Sequence, residues 1–276
     1  MRITFWGVRG SIPTPGPDTV GVGGNTSCVE VRAGNALLVF DGGTGLRLLG
    51  KRLLGEMPFK AHLFFSHVHW DHIQGFPFFD PAFVRGNEIN LYGGNNVSRT
   101  LEETLAGQMD HPNFPVHLTD MGATMNFHDV DEKKIVEIEG AKITAAPGNH
   151  PNGVWAYRVE HEGRVVVYAT DTEHYAGEVD AKLKKLAEGA DVLVYDSQYT
   201  PEEYAGKAGR GGPKVGWGHS TYDEAVKLAK AAGVKKLVLY HHDPMQSDAD
   251  VAEKERRARE LHANCEAARE GLILDV

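Results

Sequence analysis

Cysteine is nearly absent: the 276-residue chain has two, Cys28 and Cys265, far apart in sequence. That excludes a small disulfide-stapled scaffold and fits reduced thiols in an intracellular protein. No apolar run approaches the ~20 residues that span a bilayer. Met1-Arg2 runs directly into the strand-like Ile3-Thr4-Phe5-Trp6, without the pattern of a signal peptide. The expectation is a soluble, cytoplasmic protein. Positive charge is also scarce, with 29 Lys and Arg against 38 Asp and Glu and a formal net charge of −9. General binders of nucleic acid backbones are usually basic, so a long polyanionic substrate is disfavoured. A small anion drawn to local metal charge is compatible with this balance.

What the chain has in quantity is histidine, 14 residues. Its 41% hydrophobic content and its length suffice for one large core. No linker or internal repeat divides it, so one domain over residues 1–276 is expected.

The first half reads as strands and turns. Residues 3–8 are β-prone, 9–25 a Gly- and Pro-rich loop, and 28–32 with 35–40 a hairpin. Asp41-Gly42-Gly43-Thr44-Gly45 breaks that strand, and leucines at helical spacing follow over 46–54. Residues 60–66 form a short buried strand that ends at His67. A helix is expected over 98–109 with Ser98 as its cap. Short strands follow at 125–127, 135–138, 141–145, 155–160 and 164–169, the last two joined by Glu162-Gly163. The second half alternates helix and strand. Helices are expected at 179–188, at 221–232 with a Thr221/Glu224 capping box, and at 248–269. Strands are expected at 192–195, 236–240 and 272–276. A strand-rich half and a helix-on-sheet half predict a layered α/β sandwich.

The sharpest signal is His67-Val68-His69-Trp70-Asp71-His72. Three imidazoles and a carboxylate follow the apolar strand end Leu63-Phe64-Phe65, where a loop can fan them toward one point. Imidazole and carboxylate together suit Zn²⁺ and related first-row ions. Three more ligand-type residues follow apolar strands: His150 after Ala145-Ala146, Asp171 after Val165-Val166-Val167, and His241 after Leu237-Val238-Leu239-Tyr240. Open α/β sheets place their sites at such ends.

With these residues in this order, the chain resembles the metallo-β-lactamase fold family. Within it, the sequence is similar to the branch of ribonuclease Z, PhnP-type phosphodiesterases and anti-Pycsar cyclic nucleotide phosphodiesterases. The resemblance runs from Asp41 to His241. It implies a four-layer αββα sandwich that holds two metal ions, Zn²⁺ with Mn²⁺ as the alternative. His67, His69 and His150 would hold one ion, Asp71, His72 and His241 the other, and Asp171 would bridge them. His241 matches the family position better than its neighbour His242. Asp41 would orient a ligand histidine.

The same resemblance gives roles to Gly218-His219-Ser220-Thr221. His219 would contact the phosphate and protonate the leaving oxygen, with Ser220 beside it. Asp196 stands where ribonuclease Z carries a Glu paired with that histidine, and would raise the His219 pKa. Asp71, His219 and Asp196 are therefore the expected catalytic residues. Water would attack phosphorus in line, Asp71 would accept its proton, and His219 would protonate a departing ribose oxygen.

Twenty residues separate His150 and Asp171, and a tight hairpin fills them. In ribonuclease Z a tRNA-gripping arm is inserted there, so the expected substrate is small. A 3′,5′-cyclic nucleotide opened to a nucleoside 5′-monophosphate leads the candidates. His111, Phe114 and His117 are expected to wall the site, with Phe76-Pro77-Phe78-Phe79 as another wall. Residues 206–218 are a candidate lid. A homodimer is implied by the resemblance alone. Competing readings are a tRNA 3′-processing endonuclease, a lactone or thioester hydrolase on the same scaffold, and a metal-binding sensor without activity. His62, His128, His161, His174 and His262 are assigned structural or solvated roles.

Overall fold

The computed structural model describes residues 1–94, 99–208 and 211–276. Its elements run β1 (Arg2–Gly7), β2 (Cys28–Ala33), β3 (Ala36–Phe40), α1 (Gly45–Leu53), β4 (Lys60–Phe64), α2 (Trp70–Ile73) and β5 (Glu88–Gly93). Next come α3 (Leu101–Gly107), β6 (Thr124–Asp129), β7 (Val136–Ile138), β8 (Ala141–Gly148), β9 (Val154–His161) and β10 (Arg164–Ala169). The chain closes with α4 (Ala181–Ala187), β11 (Val192–Asp196), α5 (Pro201–Tyr204), α6 (Tyr222–Ala231), β12 (Lys236–Tyr240), α7 (Asp248–Leu261), β13 (Cys265–Ala267) and β14 (Ile273–Asp275).

The strands form two seven-stranded sheets, ordered β14-β1-β2-β3-β4-β5-β6 and β13-β12-β11-β10-β9-β8-β7. Period-two alternation decides which side chains face which layer. In β4, His62 and Phe64 point toward the second sheet, while Leu63 points toward the helices outside. The core between the sheets is rich in aromatics. Phe40 packs on Phe64, Tyr157 and Tyr168 at ring distances of 5.4–5.7 Å. Outside the first sheet, Leu46, Leu49 and Leu53 of α1 and Leu101 and Leu105 of α3 pack on Leu37, Leu63 and Ile89. Outside the second, Leu183 of α4, Val226 of α6 and Ala258 of α7 pack with Leu193, Leu237 and Leu239. Each fully buried leucine contributes about 1.5–3 kcal/mol relative to exposure. The layers are thus αββα, as expected.

Each sheet changes sense partway across. β14-β1-β2-β3 pair antiparallel and β3-β4-β5-β6 parallel. In the other sheet β7-β8-β9-β10 pair antiparallel and β10-β11-β12-β13 parallel. β8 and β10 both run antiparallel to β9, so they share a direction. The C-terminal ends of β8, β10, β11 and β12 therefore fall on one rim, and β3 and β4 of the first sheet end beside them. This rim carries the site.

Three expectations need correction. The last helix stops at Leu261, not at 269: residues 265–267 pair with β12, burying Cys265 and Ala267. Sheet pairing there overrides the helical propensity of an Ala- and Glu-rich segment. Thr221 stands at the start of α6, but its hydroxyl donates to the Asp223 carboxylate at 2.6 Å, so no capping box forms with Glu224. Ser98, the expected cap of α3, lies outside the described residues. That helix begins at Leu101 behind a Thr100/Glu103 capping box. No helix among the described residues is long and apolar enough to cross a membrane.

Candidate metal centre

Three site residues sit directly past strands in the left-handed region of backbone space. Asp41, Asp171 and His241 have φ of 61°, 52° and 61°. This conformation is costly for a residue with a Cβ, roughly 1–3 kcal/mol each, and such strain gathers at functional sites. Here it turns each side chain back over its strand end, into the rim.

Two groups of side chains meet there. In each, one nitrogen or oxygen per residue lies within 4.8 Å of the others. The first group is His67, His69 and His150; the second is Asp71, His72, Asp171 and His241. They adjoin, since His67 Nε2 lies 3.7 Å from Asp171 Oδ1. In the second, His72 Nε2 lies 3.2 Å from Asp71 and 3.3 Å from Asp171, and His241 Nε2 lies 3.1 and 3.3 Å from the same carboxylates. A third combination, Asp171, Asp196, His219 and His241, reuses two members of the second.

The donor set fits a cation. The buried Nε2 of His67 has no hydrogen-bond partner among the described residues, an expensive arrangement unless something else binds it. The opposite ring nitrogens are held: His72 Nδ1 donates to Asp41 at 2.8 Å, and His67 Nδ1 lies 3.0 Å from Ser66 Oγ. Asp41 also accepts from the Ser66 amide, the Ser66 hydroxyl and the Tyr168 hydroxyl at 2.7–2.8 Å. Outer partners of this kind fix tautomer and orientation in metal sites.

Electrostatics agree. Burial resists charge on His72, but Asp171, Asp71 and Asp41 outweigh it and push its pKa well above the ordinary imidazole value. Burial, helped by neighbouring imidazoles, pushes His67 well below that value, leaving it neutral and able to donate a lone pair. One group carries surplus negative charge and the other neutral nitrogen donors. Imidazole and carboxylate in this mixture suit Zn²⁺ and its first-row neighbours.

His219 flanks both groups. Its ring stacks on His241 at 5.0 Å and meets His150 edge-on at 5.2 Å. Its Nδ1 donates to Asp196 Oδ2 at 2.8 Å. Burial lowers the His219 pKa, but Asp196, then Asp171 and Asp71, more than offset it and hold it at about 9.

A comparison with known proteins supplies the family. A family model described as a beta-lactamase superfamily domain matches residues 38–242. The chain belongs to this superfamily. Ribonuclease Z of Picrophilus torridus is 25% identical, the match covering 94% of this chain and 91% of that protein. Among solved structures, the metallo-β-lactamase fold protein YhfI from Bacillus subtilis superposes with a TM-score of 0.73 at 18% identity, covering 99% of this chain and 98% of that one. A diphosphatase from the PhnP family gives 0.71 at 21% identity, over 100% and 97% of the two chains. The superfamily member described here is a metal-dependent hydrolase with the metallo-β-lactamase fold, and that fold implies divalent metal binding at His/Asp clusters of this kind.

Most expected site residues meet at the rim. His241 faces the centre, whereas His242 turns away, its Nε2 donating to the Ala268 carbonyl at 3.0 Å. The other expected substrate contacts have separate surroundings. Ser220 is fully buried, its hydroxyl 3.1 Å from His174 Nδ1 and its amide on Asp196, so it braces the loop. His111 is exposed. His117 is exposed too and caps a short turn through its amide and Asp120. Phe114 packs edge-on against Phe78 at 5.5 Å in a cleft of about 570 Å³ with Trp70 and Arg99, on the α3 side of the metal motif.

Sequence reading missed three supports. The Ser11 amide donates to Asp71 Oδ2 at 2.7 Å. Gly10 leaves room for the His241 ring, which a Cβ would approach to 2.5 Å. Gln198 accepts from His241 Nδ1 at 3.0 Å. The glycines around Arg9 were the available signal for the first two; Gln198 had none.

Proposed function

We propose that this hydrolase is a two-metal phosphodiesterase, with small phosphodiesters and foremost 3′,5′-cyclic nucleotides as substrates. One observation carries the reading: a His219–Asp196 pair, 2.8 Å apart, set against both ion-binding groups. Hydrolysis of an ester with an activated leaving group needs no such acid. Expulsion of a ribose alkoxide does, because the departing oxygen must be protonated as the bond breaks.

In this reading His67, His69 and His150 hold one ion, Asp71, His72 and His241 the other, and Asp171 lies between; both are Zn²⁺, with Mn²⁺ as the alternative. Ions bound there supply Lewis acidity toward the phosphoryl group and toward the attacking water. Asp71 is placed to take up that water's proton, and the Ser11 amide keeps one of its oxygens oriented. Asp196 holds the Nδ1–H of His219, so its Nε2–H is the proton delivered to the leaving oxygen. Residues 1–276 act as one catalytic domain, since both sheets contribute to the rim.

Two features favour a small substrate over tRNA, although a relative is named ribonuclease Z. The residues between His150 and Asp171 are spent on the β9–β10 hairpin, and the chain carries a net charge of −9. A homodimer and a cytoplasmic setting complete the proposal; sedimentation of the metal-loaded protein tests the former.

The deciding assay offers metal-loaded wild type and His219→Ala three substrates: 3′,5′-cyclic nucleotides, bis(p-nitrophenyl) phosphate and a 3′-extended tRNA. Conversion of a cyclic nucleotide to the 5′-monophosphate, lost in His219→Ala, with tRNA intact, is expected. Clean tRNA trimming overturns the substrate class, and absence of all phosphodiester turnover overturns the reaction.

A further inference from the structure

Glu173 lies two residues past Asp171 and nine-tenths buried, yet none of the roles above uses it. Its carboxylate accepts three hydrogen bonds. The Tyr204 hydroxyl donates at 2.5 Å, the Gly216 amide at 2.8 Å, and the Gly218 amide at 2.8 Å. Two of these donors are backbone groups of the loop that leads into His219. The Glu173 backbone is tied as well: its amide donates to the Asn149 carbonyl at 2.8 Å, and the Asn149 side chain donates to its carbonyl at 3.0 Å.

The Gly218 peptide group sits between two functional side chains. Its amide is on Glu173, and its carbonyl accepts from His150 Nδ1 at 2.8 Å. That second bond fixes a tautomer of His150 whose proton is on Nδ1, leaving the Nε2 lone pair for an ion. The next residue is His219. Gly218 holds φ at +85°, and a Cβ there would lie 2.1 Å from His150 Nδ1. The close approach of loop to ligand thus needs glycine.

We infer that Glu173 is a positioning residue that sets two groups at once, the candidate ligand His150 and the candidate acid His219, through the single Gly218 peptide. The inference rests on the proposed roles of those two histidines. Losing the carboxylate frees two loop amides, and that of Gly218 is buried, where an unpaired polar group is costly. The Gly218 carbonyl can then rotate off His150 as the backbone of His219 drifts. Glu173→Gln keeps size and shape but exchanges one acceptor oxygen for an NH₂ that faces amide donors.

The test uses the whole chain with cobalt in place of its native ions, so that the visible absorption bands report ligand geometry without turnover. Glu173→Gln is expected to shift those bands and to weaken one of two ions about 10–100-fold in chelator competition, the range for outer partners of metal ligands. It is also expected to lower kcat for an alkoxide-leaving diester at least ten times more than for bis(p-nitrophenyl) phosphate, with KM little changed. Glu173→Asp keeps the charge but draws the acceptor oxygens back from the two loop amides, and is expected to show the same pair of signatures; it decides the matter if Glu173→Gln does not fold. Unchanged bands and ion affinity in a folded Glu173→Gln, or equal losses on both substrates, overturn the inference. If His219→Ala itself shows no leaving-group selectivity, the proposed function fails instead, while the cobalt bands still judge the link from Glu173 to His150.

Discussion

The two ion-binding groups adjoin but are built oppositely. The first consists of imidazoles only, and His69 and His150 are partly open to solvent. The second adds two carboxylates, and all four of its residues are buried. Without an ion, the second group concentrates negative charge in a low-dielectric place, with Asp41 directly behind it. Like charges so placed repel strongly, and an ion relieves that repulsion. The first group would offer an ion only neutral donors, in a position partly open to solvent. Under the proposed two-ion reading, the difference predicts a division of labour: an ion held tightly by the second group, and a more exchangeable one at the first.

The largest effect should come from Asp171→Asn, because Asp171 is the residue that touches both groups. It removes the charge that His72 and His241 face, and it puts an NH₂ in place of either the oxygen facing those two residues or the one facing His67. The loss of activity should exceed the roughly 100-fold that follows loss of an outer partner, and metal analysis should find less than one ion per chain. Retention of both ions would break the division, since Asp171 would then serve neither group.

Asp196→Asn comes next and addresses the acid, which stands outside both groups. His219 is faced by Asp196 from β11, Asp171 past β10, Asp71 in the metal motif, and the rings of His150, His241 and Tyr199. In wild type its pKa is held at about 9, so the proton is present at neutral pH and is lost as pH rises through that value. Without the Asp196 charge, the burial that lowers this pKa is opposed only by the smaller contributions of Asp171 and Asp71. The alkaline limb of kcat for an alkoxide-leaving diester should move to lower pH. At pH 8 the loss should approach the 10²–10⁴-fold expected when a general acid is absent. A limb that stays in place would show that Asp196 does not set the acid.

The legibility of this chain divides along a similar line. The fold could be read because two-residue alternation and strand-end polar residues are local patterns, as in Leu63-Phe64-Phe65 before His67. The same holds for the candidate ligands, which lie just past an apolar strand or, like Asp71 and His72, in the short motif that follows one. The helix at 248–269 was over-extended because pairing of Cys265–Ala267 with β12 is a tertiary contact that propensity does not contain. Ser220 illustrates a related limit: its residue type suits a phosphate site, but its hydroxyl is buried against His174, because the direction of a loop side chain depends on what packs behind it. Ser11, Gln198 and Glu173 are not legible because they act through hydrogen bonds to residues 31–60 positions away in sequence.

The two groups also differ in what stands behind their histidines, and this gives the smaller predictions. His72 leans on the Asp41 carboxylate at 2.8 Å, and His241 on the neutral Gln198 amide oxygen at 3.0 Å. A charged acceptor strengthens such a bond roughly twofold over a neutral one. Asp41→Asn should therefore weaken the second ion about 10–100-fold in chelator competition, and it also loosens Ser66 and Tyr168, which share that carboxylate.

Gln198→Ala should cost less, on the order of a few-fold, because a neutral hydrogen bond contributes only about 0.5–1.5 kcal/mol net. The buried anchor beneath it also remains. Lys254 donates to the Ser197 carbonyl and to Gln246 Oε1, both at 2.7 Å, and the Gln246 side chain donates to the Gln198 backbone carbonyl at 3.1 Å. The backbone is thus held without the Gln198 side chain. Gln198→Glu should act in the opposite direction, since a carboxylate there restores the kind of support His72 already has. Tighter binding of the second ion in Gln198→Glu, measured beside the modest loss in Gln198→Ala, would show that the charge behind the histidine sets the affinity. Equal weakening in both would assign the difference between the groups to burial alone.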